Sequence, residues 1–359
     1  MITKKQNHRV SYAKGIGKLL LNAAVCIVAW ATPYSDAADK LALPDEKGIE
    51  LSRETKLRIV SYNGFWTTIF PKDNGELRNT QPIAKQSVNV AERVRQFASW
   101  GKQAHADIFA MQEIIYHEKD MKDTTAEGIR DYFKKVTGQD WHAAGDKQGR
   151  LVLSRHPIIW SGRVRNARGM AALIDLPDTI SQKNLLLINL HFLSSNGEIR
   201  VKQSANAVKF IKAVRAGSHE SIPKDTPVVV CGDFNSIVTD TPHNILLKLD
   251  AEATEEDNKK TYFVNPKPTQ LRSEFKGSFG SVTWTGEIGN SEYTVPEKTI
   301  DHILIPKGFM EIRKAFVLNS LILPKSDLDR YDIEREALLL VRQGLEEKLD
   351  HLPVFVDLK

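Results

Sequence analysis

Three consecutive valines ending at Val230 run straight into Cys231-Gly232-Asp233-Phe234-Asn235. The stretch from Pro227 to Val230 reads as a short, fully buried strand, since it is β-branched, unbroken and too short for a helix. A strand that ends on Gly-Asp-x-Asn carries a carboxylate and a carboxamide two residues apart, on one side of the extended chain. Such a pair can hold a water by one oxygen while the amide fixes the carboxylate or a phosphate oxygen. Gly, Asp and Asn are also ordinary turn formers. In isolation the motif therefore reads first as a strand-end turn.

It recurs in kind. Residues 57–62 lead to Asn63, residues 107–112 to Glu113, and residues 185–190 to His191. Residues 299–304 place Asp301 at a strand start, and Asp350-His351 directly precede a last apolar run. Each has a plain alternative: a turn Asn, a solvated Glu, a core His, a punctuating Asp. Six polar strand ends in one chain are hard to assign to chance, because most strand ends are free to carry Ser, Thr, Lys or Gly.

The set resembles the endonuclease/exonuclease/phosphatase superfamily, the deoxyribonuclease-like metal-dependent phosphoesterases, from Leu57 to Lys359. Asn63 and the Glu of Met111-Gln112-Glu113 match two of its motifs, and Leu153-Ser154-Arg155-His156-Pro157-Ile158 is similar to a third. His191, with Arg200 and Gln203 after it, is similar to the branch of sphingomyelinases, inositol-phosphate phosphatases and secreted nucleases. Asp233, Asn235, Asp301, Asp350 and His351 complete the pattern. Leu349 stands where the family usually has Ser. Gln148-Gly149-Arg150 replaces paired glycines, so Arg150 either points at the substrate phosphate or caps its strand.

Phosphodiester hydrolysis needs an in-line nucleophile, charge stabilisation on the non-bridging oxygens and help for the leaving alkoxide. The motif positions are rich in oxygen ligands, which suits Mg²⁺ or Mn²⁺, with Ca²⁺ as a further candidate, better than a thiolate zinc site. The resemblance implies a metal on Glu113, with Asn63 and Asp350 close by. It implies that Asp233 orients or deprotonates the attacking water and that Asn235 fixes the geometry. His351 would serve as acid/base or phosphate donor, and His191 as a donor to a non-bridging oxygen. Asp301 would bond one of the two histidines, which one being open. Arg200, with Arg150, is a candidate for substrate binding.

Residues 1–31 have a different character. Lys4, Lys5, Arg9, Lys14 and Lys18 precede an apolar stretch broken only by Asn22, and small residues follow at Ala29, Ala31, Ser35 and Ala37. That order is expected of a secretory signal peptide, with cleavage as late as residue 37, and the apolar stretch is short for a membrane span. Residues 32–56 then read as a linker and 57–359 as one catalytic domain in a secreted or periplasmic protein. The whole chain has 50 Lys+Arg against 45 Asp+Glu. Without the five basic residues of the leader the two are equal, which lends no support to a duplex-DNA partner. Cys26 would also be lost, leaving Cys231 without an intramolecular partner.

Alternation of apolar strands with helices over residues 88–100 and 205–216 indicates an α/β class. The resemblance further implies a four-layer α/β sandwich, two packed mixed β-sheets with outer helices. Substrate choice is expected in the insertions. Residues 64–82 carry Phe65, Trp66 and Phe70, which could stack on a base, enter a headgroup layer or pack on the sheet. Residues 250–280 begin as a solvated loop, and residues 326–349 show helical spacing with Asp332 as a helix start. The expected activity is hydrolysis of a phosphoester in nucleic acid, nucleotide or lipid headgroup, with membrane-surface contact open and no obligate protein partner evident. The alternative is a silent binding protein or toxin-like effector keeping the fold.

Overall fold

The computed structural model describes residues 49–64, 100–114, 126–146, 148–236, 239–253, 260–266, 269–270, 299–335 and 351–359. Their strands form two sheets. The first contains β1 (Leu57–Asn63), β2 (Ile108–Gln112), β3 (His142–Gly145), β4 (Leu151–Ser154), β10 (Thr269–Gln270), β12 (Ile312–Val317) and β13 (Val354–Leu358). Its order is β10-β12-β13-β1-β2-β4-β3. The second contains β5 (Ile158–Val164), β6 (Gly169–Ile174), β7 (Leu185–His191), β8 (Val228–Asp233), β9 (Phe263–Val264) and β11 (Asp301–Pro306), in the order β5-β6-β7-β8-β11-β9. Both are mixed: β1 is parallel to β2 and β7 to β8, and antiparallel neighbours flank each pair.

The central strands are buried at every position because both faces are covered. Strand alternation sorts the second sheet between two cores. Leu185, Leu187, Val229, Cys231 and Ile303 belong to the core shared with the first sheet. Leu186, Ile188, Leu190, Val228 and Val230 face the helices instead, packing with Ala207, Val208, Ile211 and Val214. Those last four belong to α2 (Gly197–Arg215), which lies beside α3 (Thr241–Lys248). On the outer face of the first sheet, Phe109 meets Phe133 of α1 (Ala126–Thr137) at 5.2 Å and Trp100 at 6.2 Å between ring centroids. The result is the expected four-layer sandwich: helix, sheet, sheet, helix.

Local boundaries differ from the expectations in instructive ways. Helix α2 starts well before residue 205, because the Asn196 side chain accepts from Ile199 N and caps a first turn whose polar residues hide its periodicity. Asp332 closes a helix instead of opening one. It ends α4 (Lys325–Tyr331) with φ 51°, a left-handed conformation that Asp tolerates. Residues 49–56, expected as the end of a linker, are held to the domain. Arg58 donates to Ile49 O and Glu50 O, and Lys56 N donates to Leu358 O. Phe263 is buried, and Tyr262 lies against the Arg215 guanidinium. Residues 1–48, which hold the expected leader, most of residues 64–82, the helix expected over 88–100 apart from Trp100, the later part of 250–280 and residues 336–350 lie outside the described residues. Among the described residues no helix is long and apolar enough to cross a membrane.

Candidate active site

Strand direction alone gathers the polar strand ends. Parallel β1 and β2 finish at one rim, where Asn63 pairs with Gln112 and Glu113 follows. Parallel β7 and β8 finish on the facing sheet with His191 opposite Asp233. Antiparallel β11 begins where β8 ends, Asp301 opposite Asp233, and β13 enters beside β1 just after His351.

Asp233 is the hub. Asn235 N donates to its Oδ1 at 2.8 Å, and Asn235 Nδ2 donates to its Oδ2 at 2.8 Å and to Phe192 O at 2.9 Å. Asn63 Nδ2 donates to Asp233 Oδ2 at 3.1 Å and to Glu113 Oε1 at 3.2 Å. His191 Nε2 lies 3.2 Å from Glu113 Oε1 and 3.8 Å from Asp233 Oδ2. His351 Nε2 lies 3.9 Å from the same Asp233 oxygen, and its Nδ1 is 2.8 Å from Asp301 Oδ2. Asp301 thus serves His351, and that bond leaves Nε2 turned to the centre.

Two local features build this geometry. Gly232 (φ 128°) brings β8 so close to β7 that a Cβ there would lie 1.9 Å from Leu190 O, so the residue before Asp233 must be glycine. Glu113 and Asn235 both have left-handed backbones, φ 57° and 48°. Asn adopts that region readily, whereas Glu does so at a cost of roughly 1–3 kcal/mol, a strain that recurs at functional sites.

The electrostatics separate the two acids. Burial and the Asp301 charge push Asp233 up to about 6, against the opposing pull of His351, His191 and the Asn235 amide. Burial also works to raise Glu113, but the His191 hydrogen bond and charge, the His351 charge and Asn63 together hold it below the ordinary carboxylate value. Glu113 is therefore ionised while Asp233 is poised to exchange a proton near neutrality. Glu113 Oε2 is buried with no hydrogen-bond partner. Ligand atoms of Glu113, His191 and Asp233 lie within 4.8 Å of one another, as do those of Asp233, Asp301 and His351. A buried, ionised carboxylate with a vacant oxygen fits a hard divalent cation. Asp350 lies outside the described residues.

Arg150 and Arg200 stand differently from their expected substrate role. Arg150 is fully buried, its Nε and Nη2 bonded to Asp146 and its Nη2 also to Gln148 Oε1, so it braces the β3–β4 turn. Arg200 Nη1 donates to Leu193 O and Ser194 O, while Gln203 Oε1 accepts from Leu193 N. These two tie α2 to the segment after His191. Both arginines are held by protein groups, though Arg150 Nη1 and Arg200 Nε stay buried without a partner.

Sequence reasoning missed the polar bridge beneath the site. Gln112 Nε2 donates to Asn189 Oδ1 at 2.7 Å, and Asn189 Nδ2 donates across the sandwich to Met111 O at 2.9 Å and Leu151 O at 3.0 Å. The bridge couples the strand that ends on Glu113 to the strand that ends on His191. Its signal was present: a Gln and an Asn at sheet-facing positions of otherwise apolar strands.

A family model described as "Endonuclease/Exonuclease/phosphatase family" matches residues 83–323. The chain belongs to this family. In general terms it is accordingly a metal-dependent phosphoesterase, a hydrolase. A curated relative, carbon catabolite repressor protein 4 homolog 3 of Arabidopsis thaliana, is 26% identical over 192 residues, covering 50% of this chain and 40% of the relative. The match thus spans well under half of that protein. Among solved structures, a mannosyl-6-phosphatase of Bacteroides thetaiotaomicron aligns with TM-score 0.51 at 17% identity, over 84% of this chain and 99% of that one. ANGEL2, a 2',3'-cyclic phosphatase, aligns with TM-score 0.50 at 15% identity, over 84% and 95% respectively. At these identities the likeness is one of fold.

Proposed function

We propose that this chain hydrolyses phosphodiester bonds with a Mg²⁺ or Mn²⁺ ion, and that monoesters are a secondary substrate class. The observation that carries this reading is the Asp233 carboxylate. It is gripped at both oxygens, pushed up to about 6 and flanked by two imidazoles. Such a group can orient a water and take its proton, since a general base works best with a pKa near the operating pH. Asn235 fixes the direction of attack. His191 offers Nε2 to a non-bridging oxygen, and His351, steadied by Asp301, can donate to the leaving oxygen. A divalent cation on Glu113, with Asn63 beside it and Asp350 expected as a further ligand, would supply charge neutralisation at the phosphoryl oxygens.

Hydrolysis of bis-p-nitrophenyl phosphate with Mg²⁺, Mn²⁺ or Ca²⁺, repeated with chelator, tests the reading. The expected result is metal-dependent turnover. Its absence on this diester and on the p-nitrophenyl monoester would favour a silent binding protein. Parallel digestion of plasmid DNA, RNA, sphingomyelin and inositol phosphates addresses the substrate, for which nucleic acid, nucleotide and lipid headgroup all stand as candidates. The formally balanced charge without the leader, and the mannosyl-6-phosphatase and cyclic phosphatase among proteins of like fold, support testing small phosphoesters beside polymers. The basic-apolar-small order of residues 1–31 supports export to a secreted or periplasmic location, which fractionation of cells expressing the full chain would check.

A further inference from the structure

The catalytic rim continues one strand outward, to β4 on the first sheet and β6 on the second. At β6 the chain turns through Asn166 and Arg168, both left-handed (φ 59° and 46°), and His191 N donates to Arg168 O at 3.0 Å. Arg168 thus sits beside His191 in the ladder, about one strand spacing (~4.8 Å) away. Its side chain is only partly exposed, yet its Nε is buried without a hydrogen-bond partner. Among the described residues no carboxylate pairs with it. Arg163 lies on the preceding strand opposite Met170. From the facing sheet, Arg150 directly precedes Leu151, which pairs with Met111 near the same rim, and its Nη1 is likewise buried and unpartnered. The three belong to one electrostatic cluster that bridges the sheets. After burial itself, which Asp146 offsets, the charges of Arg168 and Arg163 help hold the Arg150 guanidinium below its ordinary range.

Like charges gathered in a half-buried corner repel one another, and an unpaired buried donor costs about 1–3 kcal/mol. A fold that keeps them beside a phosphate-handling centre has an evident use for them: an anion that the protein itself does not supply. Guanidinium groups match phosphate oxygens in geometry as well as charge.

We propose that Arg168, set in the positive field of Arg163 and Arg150, forms a second anion subsite that takes a further phosphate group of the substrate, one strand away from the phosphate being cleaved. Arg150, closed off by Asp146 and Gln148, contributes potential without contact. The proposal rests on the phosphoesterase reading and narrows it: the preferred substrate carries two phosphates close together, as in a polynucleotide or a small bisphosphate.

The test compares the dinucleotides TpT and pTpT, which differ by one phosphate, in the Mg²⁺-loaded full chain and in Arg168→Asn and Arg168→Lys. Asn tolerates the left-handed backbone, and Lys keeps the charge. The ratio of kcat/KM for pTpT over TpT is expected to fall roughly ten-fold or more in Arg168→Asn, the scale for one hydrogen bond to a charged group. Arg168→Lys should recover part of it. Competition by fructose bisphosphate against its monophosphate, measured on the same proteins, distinguishes the small-molecule source from the polymer. An effect in either arm supports the subsite and names its source. An unchanged ratio in both arms, or equal losses on TpT and pTpT, overturns it. Calorimetric binding of thymidine bisphosphate and thymidine monophosphate reads the subsite without turnover. If no substrate is cleaved but Arg168→Asn abolishes a preference for the bisphosphate, the subsite stands and the phosphoesterase reading falls. If no such preference exists in the original protein, the subsite falls.

Discussion

Strand β1 carries Arg58 near one end and Asn63 at the other, while β13 carries Asp357 near one end and follows His351 at the other, and the two ends are finished in opposite ways. At the end far from the rim that carries the candidate site, Arg58 meets Asp357 through Nε at 2.6 Å and Nη2 at 2.7 Å, both side chains fully buried. Its remaining donors go to Ile49 O, Ala104 O and Glu50 O. Phe316 and Phe355 stack at 4.5 Å beside the same guanidinium. At the rim, the same strands bring Asn63 and His351 to a cluster in which Glu113 Oε2 and His191 Nδ1 have no partner. Both regions are buried and polar. One is saturated by its own protein and the other is not. Saturation marks a structural tie, and buried unsatisfied groups mark a place that awaits a ligand.

The comparison breaks first at the histidines. His351→Ala should lower turnover on bis-p-nitrophenyl phosphate by roughly two to four orders of magnitude, the range for a positioned acid/base. Its urea midpoint should stay close to the original. The double change with His191→Ala should be far less than additive, since the proposed mechanism sets both on one phosphate. If both single variants keep turnover within about a factor of two, the rim is not catalytic.

Arg58→Ala should behave in the opposite sense. Breaking a buried pair costs about 3–5 kcal/mol because it leaves one charge uncompensated. Urea titration should show that loss while turnover per folded molecule holds. Replacing both partners, Arg58→Met with Asp357→Leu, should cost much less than either change alone. An additive double variant would contradict this account of the far end.

Between the two regions lies the Gln112–Asn189 bridge. Gln112→Met should cost about 1–3 kcal/mol by stranding Asn189, and it should also weaken Mn²⁺ binding, because Glu113 is the next residue. Stability loss with unaltered metal affinity would make the bridge purely structural.

The smallest effect concerns pH. With chelator present, the folded chain holds the Asp233 proton up to about 6 instead of 3.8. Between those values the folded state binds a proton that the unfolded state has released. Stability is therefore expected to fall as pH rises through this window, and the deficit is full above it. Asp233→Asn should lose that fall, while losing turnover. A slope shared by both proteins would assign the titration elsewhere.

The sequence displayed its rim better than its interior ties. Asn63, Glu113, His191, Asp233, Asn235, Asp301 and His351 were all marked by position, as polar residues closing apolar strands, and the structure gathers them at one edge. What stayed hidden depends on pairing across long separations. Arg58 and Asp357 lie at opposite ends of the chain, and nothing local marks them as partners. The choice of His351 over His191 by Asp301 follows from strand order in two sheets, which periodicity does not reveal. The bonds that hold Arg150 and Arg200 were not legible because their partners, Asp146 and the carbonyls after His191, become neighbours only through turns. Arg168 went unnoticed in a hairpin with no motif.

The lone thiol of the second sheet has a practical consequence. Cys231 is wholly buried two residues before Asp233, its Sγ 3.6 Å from Ile188 O, and burial pushes its titration far upward. Burial therefore keeps it protonated and shields it from reagents while β8 is in place. The chain has one other cysteine, Cys26, so in a Cys26→Ser variant every labelling event would record that strand leaving its neighbours. The protein thus carries its own gauge of local opening, placed in the strand that delivers Asp233.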